Sequence, residues 1–231
     1  MEVGKAFTFA FEDPRWVTKI LVGGLVTLAA MLLSPIIIGL FFTFVLYGYG
    51  LELMKNVRDD VPNPLPEWEN WGDRAVRGLK LVVVFFIWLL PAIVLSVFMT
   101  ILSVVAGNNG ELEGAAALLS LCASCITFLW SLVVALFSPA ILIRFAEHDT
   151  IGSGFAIGEI WALTRAHLGD IIVALLVSMV ALIVASIVGA LLCGIGLLFT
   201  WFWGSLVEFH LFGQIARKAR SAATSMGPAI V

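Results

Sequence analysis

The chain has 231 residues, of which 61% are hydrophobic and 13% charged, and its formal net charge at pH 7 is −3. Soluble domains carry about a quarter charged residues, so this composition, with a mean hydropathy of +1.07, excludes a soluble fold and points to an integral membrane protein. No basic tail is long enough to bind nucleic acid, and the three cysteines, Cys122, Cys125 and Cys193, give no disulfide framework.

Residues 4–16 carry Phe7, Phe9, Phe11 and Trp16 among charges and read as an interfacial lead-in. Glu12 and Asp13 precede the apolar run, so the opening does not read as a signal peptide, and Val17 onward is expected as a retained helix. Span one is predicted over 17–34 and span two over 35–54. Pro35 sits at their junction, where a missing N–H does no harm. The link between them is almost nothing, which makes a tight hairpin.

A long polar interruption follows. Pro62, Pro64 and Pro66 stop span two from continuing. Within Leu65–Lys80, Trp68, Trp71, Ala75 and Leu79 recur at spacings of three and four, while Glu67, Glu69, Asn70, Asp73, Arg74 and Arg77 fall elsewhere. That pattern predicts a helix lying in the membrane interface with its Trp rings at headgroup level.

Span three is predicted over 79–106 with a kink at Pro91, and 107–110 (GNNG) as a turn. Span four is predicted over 114–143. Both exceed the ~20 residues a bilayer needs and should tilt or protrude. Residues 144–168 read as a second amphipathic link, with 152–158 (GSGFAIG) as its flexible opening. Span five is predicted over 169–192, a turn over 193–196 and span six over 197–215. Span five carries Ala174, Ser178, Ala181, Ala185 and Gly189 on one stripe, which suits close internal packing first and self-association second.

All thirteen Lys and Arg fall before or at the start of span one, between spans two and three or, for Lys80, at the start of span three, between four and five, or after span six. The opposite turns hold only Glu111 and Glu113. This bias predicts an even number of spans with both termini cytoplasmic. The fold expected is therefore all-α: one membrane domain over 1–231, a bundle of six transmembrane helices in three hairpins, with interfacial amphipathic helices. The chain also reads as three copies of one unit, over 4–58, 65–147 and 152–217, with Trp16, Trp71 and Trp161 ahead of the odd spans. Membrane hairpins of similar composition would give the same impression.

Several stretches together resemble a known family. Leu65-Pro66-Glu67-Trp68, Trp71-Gly72-Asp73 and Gly78-Leu79-Lys80 resemble the signature of the prokaryotic membrane family known as domain of unknown function 4013. Phe11, Asp13, Pro14, Trp16 and Lys19-Ile20-Leu21 are similar to its opening, Gly48-Tyr49 to the end of its second helix, and His210, Gly213, Gln214 and Arg217 to its closing segment. Glu52 departs from the basic residue that members tend to carry. The resemblance implies a multi-pass protein of a prokaryotic cytoplasmic (inner) membrane and supplies no activity or catalytic residues.

Among ionisable residues, Glu208 and His210 lie deepest in a span, with Glu52 inset and Arg144 at the end of span four. A charge inside a span costs about 2.5–3.5 kcal/mol even on lenient scales. Glu52, Arg144, Glu208 and His210 therefore form a candidate polar cluster, either a site for a headgroup or proton relay or a set of interhelical pairs and snorkelling side chains. Trp16, Trp68, Trp71 and Trp161 are the expected interfacial anchors. Cys122-x-x-Cys125 lacks further ligands and reads as small-residue packing, His148 and His167 as solvated, and Trp201 and Trp203 as facing either lipid or the bundle. No catalytic, cofactor or metal constellation stands out. The leading function is a non-enzymatic scaffold or accessory subunit that meets the bilayer and a membrane-protein partner through its cytoplasmic links. The alternative is a small transporter or lipid-handling protein, with a lipid enzyme third; the pattern assigns no oligomeric state.

Overall fold

In an apolar run the backbone must satisfy its own N–H and C=O groups, and a helix does so within one segment. The computed structural model describes residues 1–107, 113–192 and 194–225. They form α1 (Val3–Glu12), α2 (Trp16–Leu32), α3 (Ile38–Arg58), α4 (Trp71–Gly107), α5 (Glu113–His148), α6 (Ile157–Ala166), α7 (Leu168–Leu191) and α8 (Gly196–Ser225). Short 3-10 turns occupy Ser34–Ile36 and Ile151–Phe155, and there is no strand among the described residues. The expected turn at 107–110 and Cys193 lie largely outside them.

Four helices, α3, α4, α5 and α7, are long and apolar enough to cross a membrane, or five if α1 and α2 count as one span bent by 99°. Two predicted spans fall short of that standard. Helix α2 has only 17 residues. Helix α8 has 30, but Gly204, Ser205, Glu208 and His210 dilute its apolar run. Consecutive helices pack in pairs, α2 on α3, α4 on α5 and α7 on α8, while α3 and α8 also pack on each other at the centre.

The core sits toward one end of these helices. Tyr49, Leu53, Ile141, Phe145, Leu211 and Phe212 are fully buried there, with Phe9 of α1 packed among them. Away from it α4 and α5 stand apart from the rest: Val97, Phe98, Ile101, Leu118, Leu121 and Phe128 are all exposed. So extensive an apolar surface is compatible with a multi-pass membrane protein.

Glycines set the closest approaches. A Cβ on Gly48 would lie 2.2 Å from the Arg74 carbonyl oxygen, and one on Gly78 would lie 1.9 Å from that of Phe44. Helices α3 and α4 thus touch backbone to backbone at two places one turn apart. The predicted stripe on α7 is buried as expected, Ala174, Ser178, Ala181, Ala185 and Gly189 all facing inward. At the α2–α3 junction the turn is so tight that Ile37 is held at φ 64, a strained value for a β-branched residue.

The largest departure from the sequence reading concerns 65–80. No helix forms before Trp71. Three prolines lack N–H donors and hold their predecessors extended, so 61–70 is an irregular strap. From Trp71 the chain enters a helix that runs 37 residues without a break. Arg74, expected on an outer face, is 2% exposed, whereas Leu79, expected beside Trp71 and Ala75, is 43% exposed.

The second link also differs. Helix α5 continues past Arg144 to His148. The glycine-rich segment is no loose opening: Ser153 and Gly154 are buried, and the Gly154 carbonyl accepts Trp88 Nε1–H at 3.0 Å. Cys122 and Cys125 are exposed on α5 rather than packed against a neighbour. His148 is exposed, but His167 lies 3.8 Å from Asp170.

Candidate functional site

The strap is anchored by a buried ion pair. Lys19 lies one turn into α2, and Asp13 precedes that helix, so the sharp α1–α2 bend brings them together at 2.6 Å. Both side chains are about 5% exposed or less. Lys19 Nζ also donates to the Leu65 carbonyl at 2.9 Å and meets Glu67 Oε1 at 2.7 Å. An ammonium has three N–H donors, and these three acceptors match them. The Arg15 backbone N–H donates to Asp13 Oδ1 at 2.7 Å. Burial pushes the Asp13 carboxyl up, but the Lys19 and Arg15 contacts together outweigh it and hold the group below its ordinary value.

The rest of the Leu-Pro-Glu-Trp stretch is fixed by α2 and α3. Trp68 Nε1–H donates to the Lys19 carbonyl at 2.9 Å, and its ring stacks on Tyr49 with centroids 4.3 Å apart. The Tyr49 hydroxyl donates to the Pro66 carbonyl at 2.9 Å, and Asn56 Nδ2 donates to that of Pro64 at 2.9 Å. Arg74 lies over the other side of this group, its guanidinium carbon 5.2 Å from the Tyr49 ring centroid. It holds Glu52 through Nε and Nη2 at 2.8 and 3.2 Å, leaving Nη1 buried with no partner among the described residues. Asp13, Lys19, Glu52, Asn56, Glu67 and Arg74 border a polar cavity of about 480 Å³.

A second cavity, of about 540 Å³, has a different character. It lies among α2, α3, α4, α5 and α8 and is walled by Leu46, Tyr47, Phe85, Trp201, Phe202, Phe209 and others, with Glu208 as its one charged residue. No hydrogen bond or ion pair reaches that carboxylate among the described residues. The Thr and Ser hydroxyls of its wall, Thr27, Thr43, Ser138 and Ser205, each donate to a carbonyl of their own helix, and Tyr47 borders it as well.

The four residues of the candidate polar cluster are thus not joined by any hydrogen bond or ion pair among the described residues. Glu52 belongs to Arg74 and the polar cavity. Arg144 pairs with Glu147 at 2.6 Å and with Glu159 of α6. Glu208 lies in the apolar groove. His210 stacks on Phe9, centroids 4.2 Å apart, and lies 3.2 Å from Gln214 Nε2, which also donates to the Glu2 carbonyl. Periodicity along one helix gives depth in a span but not the neighbouring helix each side chain meets.

The four tryptophans also divide. Trp16 packs edge-on against Phe11, centroids 4.9 Å apart. Trp68 is spent on Tyr49, and Trp71 Nε1–H donates to the Trp68 carbonyl at 3.1 Å. Only Trp161 is broadly exposed, at 58%. Trp201 is half exposed and donates to Ser186 at 2.9 Å, while Trp203 packs on Phe7 with its Nε1 unpartnered among the described residues. Asp13, Lys19, Tyr49 and Arg74 carry the polar site, and isolated propensity gave little sign of it. Their signal was adjacency to the resemblance: Asp13, Lys19 and Tyr49 were quoted in it without a role.

The polar links are tied to one another. Lys55 meets Asp149 at 2.8 Å, Lys218 meets Asp170 at 2.6 Å, Arg220 meets Asp59 at 2.7 Å, and Arg217 pairs with Asp60. No group of three or more His, Cys, Asp or Glu able to hold a metal ion occurs among the described residues.

A family model described as "Protein of unknown function (DUF4013)" matches residues 31–194. The matched region includes Tyr49, Glu52, the strap and Arg74, but neither Asp13 and Lys19 nor Glu208. No curated protein and no solved structure matches the chain.

Proposed function

The chain belongs to the DUF4013 family of proteins of unknown function, and from that premise we propose a six-span protein of a prokaryotic cytoplasmic membrane that binds a membrane-soluble small molecule, as a transporter or lipid-handling protein. The six spans pair α2–α3, α4–α5 and α7–α8, with α2 and α8 completing the set. Both termini lie on the cytoplasmic side with α1, the strap and α6. The ion pairs that link 55–60, 149, 170 and 217–220 support one common polar end, and the basic bias assigns that end to the cytoplasm.

One observation carries the binding function: an apolar cavity of about 540 Å³ enclosing a single carboxylate. Small-molecule sites run from about 300 to 1,000 Å³ and combine apolar walls with few polar groups. An uncompensated acid at span depth is by default functional. The accessory-subunit reading relied on large charged links, but those charges are largely engaged within the chain.

Native mass spectrometry of protein extracted gently from its host membrane tests this. A small molecule retained at one per chain and lost from Glu208→Gln is the expected result. A stoichiometric protein partner, with no retained small molecule, overturns it in favour of an accessory subunit.

A further inference from the structure

We infer that the groove around Glu208 is a binding site for a lipophilic organic cation, an ammonium or phosphonium centre bearing apolar substituents. The inference rests on the small-molecule reading above and names the ligand class.

Three features select that class. First, the walls are aromatic: Tyr47, Phe85, Trp201, Phe202 and Phe209 all border the cavity. Ring faces attract cations, and such cages are a known means of recognising quaternary ammonium groups. Second, Glu208 is half-buried with no cationic partner among the described residues. None of the described Lys, Arg or His borders the groove, and an unpaired charge drawn out of water is costly. A cationic ligand supplies the missing charge, whereas an anionic headgroup is repelled. Third, the groove offers a hard metal cation only one carboxylate among the described residues, its other side-chain oxygens being neutral hydroxyls. Such cations are held by several oxygens, carboxylates prominent among them. A weakly hydrated organic cation loses little on entering such a space.

The probe is tetraphenylphosphonium, titrated into the full chain in lipid nanodiscs, with tetraphenylborate as its anionic counterpart of the same shape. Trp201 fluorescence and equilibrium dialysis report occupancy. The wild-type protein is expected to bind the phosphonium saturably at one per chain and the borate at least tenfold more weakly. Glu208→Gln should lose at least tenfold in phosphonium affinity, and Glu208→Asp should keep part of it. Equal binding of the two ions overturns the inference, and this comparison uses only wild-type protein, so it holds even if a variant folds poorly. Equal phosphonium binding by a folded Glu208→Gln protein also overturns it. No phosphonium binding, with a neutral lipid still retained by wild type and lost from Glu208→Gln, overturns the cation class while leaving the small-molecule function standing. Neither probe nor lipid bound overturns both.

Discussion

Lys19 Nζ donates to the Leu65 carbonyl at 2.9 Å, joining residues 46 apart in the chain. Through this contact the start of α2 holds the strap between α3 and α4, and Asp13 and Glu67 complete the ammonium's set of acceptors.

Removing one charge of this pair should be severe. Lys19→Met leaves Asp13 buried without its cation, and such a break costs about 3–5 kcal/mol. The double variant Lys19→Met with Asp13→Asn should recover much of the loss. Thermal melting in detergent measures both, and a single variant as stable as wild type would refute the burial of this pair.

The same pair sets an acid limit. The Asp13 carboxyl is held below its ordinary value, so its stabilisation is fully present above the unfolded value and is lost as pH falls through the folded one. Melting temperature should therefore drop below about pH 4, and Asp13→Asn should flatten that acid limb. Melting profiles of the two proteins between about pH 2.5 and 5 check the sign.

Trp68 should matter as packing rather than as a membrane anchor. Trp68→Ala removes a partly buried ring stacked on Tyr49 and a hydrogen bond to Lys19, a loss at or below the lower end of the about 3–5 kcal/mol that fully buried aromatic deletions cost. Trp161→Ala, at an exposed ring, should cost under about 1 kcal/mol. Comparable losses in melting stability would contradict this division.

The α3–α4 contact admits no side chain. Gly78→Ala places a Cβ against the Phe44 carbonyl, and Gly48→Ala against that of Arg74. Each should cost about 1–3 kcal/mol from overpacking. Gly72 meets nothing within 4 Å, so Gly72→Ala should be neutral or mildly stabilising. Parallel melts of the three variants decide the matter.

Membrane sidedness is open to direct measurement. A fluorescent protein fused at either terminus should fold and fluoresce, and a phosphatase fused at the 107–110 turn should be active. A phosphatase active at the C-terminus would mean an odd number of spans and sink the proposed topology.

Which parts of the fold were legible follows from where the governing forces act. The α7 stripe was readable because small residues at helical spacing say which face packs, and Ala174 to Gly189 are buried as read. The strap was misread because Trp68 and Trp71 share a helical spacing, while the prolines between Val61 and Trp68 forbid helix there. Those prolines were noted only as a stop to span two. The residues of the candidate polar cluster do not meet as one group, because depth in a span is a property of one helix, whereas pairing depends on its neighbours: Glu52 meets Arg74, Arg144 meets Glu147 and Glu159, and Glu208 meets no cation among the described residues.

The sequence by itself determined that the chain is helical, with several helices apolar and long enough to cross a membrane, roughly where those helices run, and which segments are polar links. Those properties follow from composition and local periodicity, since a bilayer-length apolar run must satisfy its backbone within itself. Only the tertiary structure decided that α3 and α8 form the centre, that Asp13 and Lys19 bury a charge pair beneath the strap, and that Glu208 meets an aromatic groove with no cation beside it among the described residues. Each of these depends on which faces of non-adjacent helices meet, and that is set by side-chain packing and backbone approach at glycines such as Gly48 and Gly78, which no single helix records.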